Sequence, residues 1–320
     1  MKDLFVVKTR GGLLNAYSIS RGKRCSLLVL NNSLYKDHEY YIKYFITDVN
    51  LINLKSLFLF RFFNYRNYYF EWGCGISDNY ILVIIHLIHS LLKKDWFKYF
   101  HCIAYILNRP ITVFPHGCNL YGEEAFKHIN PSYFNNRNFV YKYIVDNKKY
   151  MSIVSKLFLI QKNKIIAEKY CFNLKVRKVS NKIVKTNNII VLMPKASRVS
   201  KKKFYKFLKF TNCYNFTFNY FIHPNDYNSD LYNIDYFKSS KIIISTSSSN
   251  DFELMSLASA IIDCGTSLFL ISIHFNSNIY RFNITNFNTL LFDNDFRILN
   301  RSFLKLPFFN KTFHELYECI

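Results

Sequence analysis

Three short stretches hold the side chains best suited to chemistry. The first, ITVFPHGCNLYGEE from Ile111 to Glu124, runs from an apolar, strand-like segment into Pro115, His116 and Gly117, with Glu123 and Glu124 close behind. An imidazole with a reference pKa of about 6.5 can accept a proton from a hydroxyl near neutral pH, and Gly117 lets a substrate approach the backbone. On this reading His116 is a general base and Glu123 and Glu124 are the reserve candidates. The alternative makes His116 a turn residue bonded to its own sheet and the two glutamates solvated charges at a helix start. The second stretch, NYFIHPNDY, places His223 and Pro224 after an apolar run. The proline fixes the backbone there, and the imidazole can donate a hydrogen bond or a proton to a phosphate oxygen. The third, IIISTSSSNDFELMSLA, lines up Thr246, Ser247, Ser248 and Ser249 before a helix whose first turn carries Asp251 and Glu253. Hydroxyls and N–H groups at a positive helix end can hold a phosphate, although a single Ser or Asn would suffice as an ordinary cap.

A further anion site is offered near the start. The strand DLFVV is followed by Thr9, Gly11 and Gly12 and then by LLNAYSI, the strand, loop, helix order that points backbone N–H groups at a ligand. A tight βα turn has the same form. His101, Cys102, His116 and Cys118 lack the paired spacing of a zinc site, so no metal is expected. The eight cysteines stand singly along the chain and read as reduced, mostly buried thiols.

These residues need elements to position them, and the hydrophobic pattern supplies a βαβ rhythm. DLFVV, CSLLVLN, SLFLF and ITVF read as strands, with helices over Gly11 to Ser20 and Tyr80 to Leu107. A polar, lysine-rich stretch, 175–188, reads as a linker between an N-terminal domain, 1–174, and a C-terminal domain, 189–320. The second domain repeats the rhythm with IIVLMP, a Lys/Phe-rich helix from Ser200 to Phe210, FTFNYFI, KIIIST, a helix from Asn250 to Ala260, and IIDCG. The predicted fold class is α/β, with two Rossmann-like domains whose mainly parallel sheets face each other across a cleft. Ligands then belong beyond the carboxyl ends of the strands, where all three motifs fall.

With 320 residues, half of them apolar and 19% aromatic, the chain has ample material for two cores. The net charge of +22, from 43 Lys and Arg against 21 Asp and Glu, suits a nucleic acid, an anionic membrane or a phosphorylated substrate. The abundance of Lys, Asn, Ile, Phe and Tyr also matches AT-rich coding, so part of the charge is compositional. No zinc knuckle or helix-turn-helix pattern accompanies it, and the aromatics fall inside apolar periodic segments, so nucleic acid is not the expected partner. The N-terminal apolar run is too short for a signal peptide, so a cytoplasmic location is expected. The run Tyr80 to Leu92 is shorter than a bilayer span and contains two histidines, so it is expected to be a buried helix. Peripheral contact with the inner face of the membrane would use basic and aromatic surface.

The motifs resemble a family. KTRGGLLNAYSI is similar to the TPxQLLNA-like turn that opens bacterial sialyltransferases of the lipooligosaccharide and polysialyltransferase type, glycosyltransferase family 52 and its relatives. It keeps Thr9, Leu13, Leu14, Asn15 and Ala16 and lacks the proline and glutamine. FIHPND and ISTSSSND follow that family's later HP motif and serine pair in order and context. FPHG stands where the family carries an acidic pair before glycine, and a histidine there also resembles the teichoic-acid glycerophosphotransferases. The resemblance implies a GT-B fold and a CMP-activated sialic acid or related sugar as donor. It further implies a cell-surface glycan as acceptor and an inverting displacement that needs no metal or other cofactor. A GT-A alternative would use Asp293 and Asp295 of TLLFDND as metal ligands, but too few residues follow them to build an acceptor half.

Overall fold

The computed structural model describes residues 2–30, 32–52, 54, 62–71, 79–115, 140–145, 148–168, 174–177, 186–212, 217–222, 226, 228–232, 242–246, 251–266, 268, 272, 275, 279–282 and 284–286. The chain divides into two compact units, one formed by Met1–Asn119 and Glu123–Val179, the other by Leu120–Gly122 and Ser180–Ile320.

In the first unit, β1 (Lys2–Val7), α1 (Arg10–Ile19), β2 (Cys25–Val29), α2 (Asn32–Tyr41), β3 (Phe45–Ile46) and β4 (Val49–Ile52) come first. They are followed by β5 (Tyr65–Glu71), α3 (Tyr80–Leu92), α4 (Trp96–Ile106), β6 (Ile111–Phe114), β7 (Val140–Val145), α5 (Lys148–Phe158), β8 (Ile165–Ala167) and β9 (Lys175–Val176). Seven strands form one sheet in the order β4-β2-β1-β5-β6-β7-β8, and every pairing in it is parallel. β3 and β9 form a separate antiparallel pair. The strands are near-continuous apolar runs, such as the fully buried CSLLV and ITVF, because helices cover both faces of a parallel sheet. Aromatic rings fill the core: Phe5 stacks on Tyr69 with centroids 4.3 Å apart, and Phe97 and Phe100 of α4 reach Phe70 and Phe62.

The second unit contains β10 (Thr186–Leu192), α6 (Lys201–Asn212), β11 (Thr217–Ile222), β12 (Ile242–Thr246), α7 (Asp251–Leu257), β13 (Ala258–Asp263) and β14 (Ile279–Arg281). Its sheet is also wholly parallel, in the order β12-β11-β10-β13-β14. Phe204, Phe207 and Leu208 of α6 pack on Val191, Tyr220 and Ile262 of this sheet.

Both sheets therefore have Rossmann-type order, with the α/β class and parallel pairing that the βαβ rhythm predicts. Several elements differ from expectation. The stretch 175–188 contributes a strand at each end, β9 to the first unit and the start of β10 to the second. The helical region expected over Tyr80 to Leu107 consists of two helices, separated at Lys94, whose φ of 56° lies in the left-handed region. α7 stops at Leu257, because Ala258 already belongs to β13. The expectation that Tyr80–Leu92 is buried is wrong: it is a helix, but only Val83 and Ser90 are buried and most of its aliphatic side chains face outward. Aliphatic residues occupy nearly every side of this helix, so the sequence shows no period that separates an inward from an outward face. SLFLF lies outside the described residues. Among the described residues no helix is long and apolar enough to cross a membrane, and Cys25, Cys102 and Cys264 are buried.

Candidate functional site at the strand ends

In the first sheet the strand order reverses between β1 and β5, the kind of switch point beyond which open parallel sheets hold their ligands. Thr9 lies just past β1, and Glu71 is the last residue of β5. The buried Glu71 carboxylate accepts from the backbone N–H groups of Lys8 (2.9 Å) and Thr9 (3.0 Å) through Oε2, and from the Thr9 hydroxyl (2.6 Å) through Oε1. Thr9 in turn caps α1: its Oγ1 accepts from the Gly12 N–H at 3.1 Å, from an extended backbone. Gly12 is required by this packing, since a Cβ there would lie 2.2 Å from Glu71 Oε2. Thus Thr9 and Gly12, with Gly11 between them in the first turn, sit at the switch point, and a carboxylate already accepts from several donors of the loop.

Two further bonds connect this loop to the rest of the unit. Asn15, buried on α1, donates through Nδ2 to the Pro115 carbonyl at 2.8 Å. That bond fixes the residue directly before His116. Arg10 pairs with Asp37 at 2.8 Å, and Tyr17 Oη lies 2.6 Å from His38 Nδ1, which ties α1 to α2. Burial raises the Tyr17 phenol far above its usual range, with Tyr41 and Asp37 adding to the effect, so the hydroxyl stays protonated.

The second sheet reverses between β10 and β13. There Asp263, the fully buried last residue of β13, accepts through Oδ1 from the N–H groups of Gly265 (3.2 Å) and Thr266 (2.8 Å). Gly265 has φ 113°, which a side chain would strain. One strand over, Asp226 accepts from the Ala196 N–H at 2.7 Å and so links the loop after β11 to the loop after β10. Asp226 is the acid of the FIHPND stretch, three residues after His223.

Of the residues expected to form the site, Thr9, Gly11, Gly12 and Thr246 are described; Thr246 is the last residue of β12. His116, Glu123, Glu124, His223, Pro224, Ser247, Ser248 and Ser249 lie outside the described residues. Their strands are placed, however: His116 follows β6 after Pro115, His223 directly follows β11, and Ser247 directly follows β12. Glu71 and Asp263 were not anticipated, and Asn15 and Asp226 stood only as members of the KTRGGLLNAYSI and FIHPND stretches. The available signal was an acidic residue closing an apolar strand, as in YYFE and AIID, because a carboxylate buried there must accept hydrogen bonds. Among the described residues no group of three His, Cys, Asp or Glu is placed to hold a metal.

No family model matches the chain, and no curated protein matches it in sequence. Solved structures do resemble it. A putative UDP-N-acetylglucosamine 2-epimerase from Listeria monocytogenes aligns with a TM-score of 0.50 at 7% identity, over 84% of this chain and 75% of that one. A UDP-N-acetylglucosamine 2-epimerase from Rickettsia bellii aligns at 0.49 and 14% identity, over 90% and 80%. The E. coli ADP-heptose LPS heptosyltransferase II aligns at 0.45 and 10% identity, over 88% and 84%. At these identities the likeness concerns the fold, and the first of them agrees with two Rossmann-type units of GT-B kind in one chain.

Proposed function

We propose that the protein is a GT-B glycosyltransferase that moves a sialic-acid-like sugar from a CMP-activated donor to a cell-surface glycan, without a metal, on the cytoplasmic side of the membrane. The observation that carries the reading is the placement of three motif-bearing strands: β6, β11 and β12 end within two residues of His116, His223 and Ser247, in wholly parallel sheets whose ligands belong at those ends. The resemblance of FIHPND and ISTSSSND to the sialyltransferases supplies the donor class. In the proposed reaction His116 takes the proton of the acceptor hydroxyl, with Glu123 and Glu124 as alternates. The freed oxygen attacks the anomeric carbon, and the bond from that carbon to the phosphate oxygen breaks. CMP leaves with the electron pair, its charge met by His223 and by Ser247, Ser248 and Ser249. Thr9, Gly11, Gly12, Pro224 and Thr246 complete the proposed donor-binding set. The domain reading of 1–174, a linker at 175–188 and 189–320 is kept as part of this proposal, with the acceptor on the first domain and the donor on the second.

A thermal-shift screen across CMP, CDP, UDP and ADP tests the donor class, because a ligand that binds only the native state raises the melting temperature. We expect CMP to give the largest shift. His223→Ala, and Ser247→Ala combined with Ser248→Ala, should weaken CMP binding by about tenfold or more. His116→Ala should lower transfer at least a hundredfold while binding persists. A shift with UDP alone would replace the donor with a diphosphate sugar, a reading that the fold shared with a putative UDP-sugar epimerase supports by analogy only. No shift with any nucleotide would end both readings.

A further inference from the structure

α3 is a helix of 13 residues, roughly 20 Å long, with no Lys, Arg, Asp or Glu; its polar residues include His86, His89 and Ser90. Val83 and Ser90 mark its inward face. The opposite face is aliphatic from end to end: Ile81, Ile85, Ile88 and Leu92 are 68%, 53%, 55% and 76% exposed, and Ile84 and Leu91 flank them, also exposed. Helical spacing puts these side chains on one ridge. Together they expose on the order of several hundred Å² of contiguous apolar surface, a size at which a patch marks an interaction surface. The helix is too short to span a bilayer but long enough to lie along one.

The surroundings of the ridge identify what it meets. Lys93 and Lys94, both exposed, follow the last turn, and Lys98 stands on the next helix. The acid in this turn, Asp95, is engaged as the N-cap of α4, accepting from the Lys98 N–H. The amphipathic rings of Trp96 and Tyr99, half-buried and 5.7 Å apart, lie at the same tip, and the exposed Tyr80 opens the other end of the ridge. An aliphatic ridge bordered by lysines and by Trp and Tyr rings is the pattern of a helix lying in a membrane interface, where lysines reach the headgroups and indole and phenol rings sit at their level. A second copy of this chain fits less well, because it would bring another charge of +22 against the first, whereas anionic lipid is attracted by it.

We propose that the α3–α4 hairpin docks this protein on an anionic lipid surface, with the Ile81–Leu92 ridge inserted among the acyl chains and Lys93, Lys94 and Lys98 on the headgroups. The inference rests on the function proposed above for the membrane face it names, but its test uses no nucleotide, so either can fail alone. The full chain is mixed with vesicles of phosphatidylcholine, with or without one third phosphatidylglycerol, and separated by flotation. The chain is expected to float with the anionic vesicles and about tenfold less with neutral ones. The double variant Ile85→Glu, Ile88→Glu should weaken partitioning at least tenfold, and Lys93→Glu with Lys94→Glu should both weaken it and remove most of its salt dependence. The altered side chains are exposed, so circular dichroism and the urea midpoint are expected to stay at wild-type values. If the isoleucine pair does perturb folding, the lysine pair decides alone. Failure to float with anionic vesicles overturns the proposal, as does flotation that neither pair changes. A wild-type dimer in sedimentation velocity that the isoleucine pair converts to monomer would assign the ridge to a second copy and overturn it too.

Discussion

Glu71 places its whole carboxylate on the loop that starts α1, and the cost of removing it follows from what it leaves behind. Glu71→Ala strands two backbone N–H groups and the Thr9 hydroxyl in a partly buried setting, which should lower stability by about 1–3 kcal/mol. Glu71→Gln retains an acceptor for the two N–H groups and should cost only about 1 kcal/mol. Gly12 gives the sharper test, because its missing Cβ is the space that Glu71 Oε2 occupies. Gly12→Ala alone should destabilise by about 1–3 kcal/mol through overpacking. On the Glu71→Ala background the clash is gone and alanine's helix propensity remains, so the same change should be neutral or stabilising. Urea unfolding of the four proteins closes the cycle; additive effects would show that the two residues do not share this space. Thr9 could be read from the sequence as a cap after a strand. Its partner could not, because the sequence separation of 62 from Thr9 to Glu71 is closed by the pairing of β1 with β5.

α4 shows how an element can hide a titrating group that spacing alone cannot classify. His101 was weighed as one corner of a zinc site, but the helix turns it fully into the core, where its ring lies 4.6 Å from that of Phe70. Burial, with the neighbouring Lys8 charge adding to it, pushes the imidazole down from 6.5 to about 3. The folded pKa is thus below the unfolded one, so the unfolded chain binds the proton first. The resulting stability is present above about pH 6.5 and is lost as pH falls toward 3. The loss from this group approaches 1.4 kcal/mol per pH unit well below pH 6.5. His38, lowered chiefly by its own burial, adds in the same direction. His101→Phe, which keeps the ring packing, should give a flatter acid slope than the wild type when urea midpoints are compared at pH 7.5 and about pH 5. Parallel slopes would mean that the site takes up the proton without cost. The helices and strands themselves were largely legible, because runs such as CSLLV and FTFNYFI have strand length and KKKFYKFLKF has helical spacing. Their ends were less so, as at Leu257, where the run continues apolar from helix into strand.

Two parallel sheets with the same reversal of strand order make a molecule of two separately cored units, and that plan was readable from the recurrence of βαβ rhythm on both sides of 175–188. The strand order itself was not, since neighbours such as β1 and β5 are joined only by pairing across many residues. The strand ends that precede the proposed site motifs were legible for a related reason: each is an apolar run that ends abruptly, which is where a parallel sheet presents its carboxyl edge. The carboxylates that fix those edges were not, because burial decides whether an acid is a surface charge or an anchor. Separate cores have a measurable consequence. Phe207 is fully buried on α6, with Phe282 at 5.2 Å and Tyr220 at 6.4 Å between ring centroids, all within the second unit. Phe207→Ala removes most of that packing and leaves a cavity, a change that costs about 3–5 kcal/mol. In native-state hydrogen exchange the amides of β10, β11 and β13 should then exchange at least a hundredfold faster, while those of β1, β5 and β6 keep their wild-type rates. Equal acceleration in both sheets would show that the chain opens as a single cooperative unit, and that its two cores, though built from different residues, share one unfolding free energy.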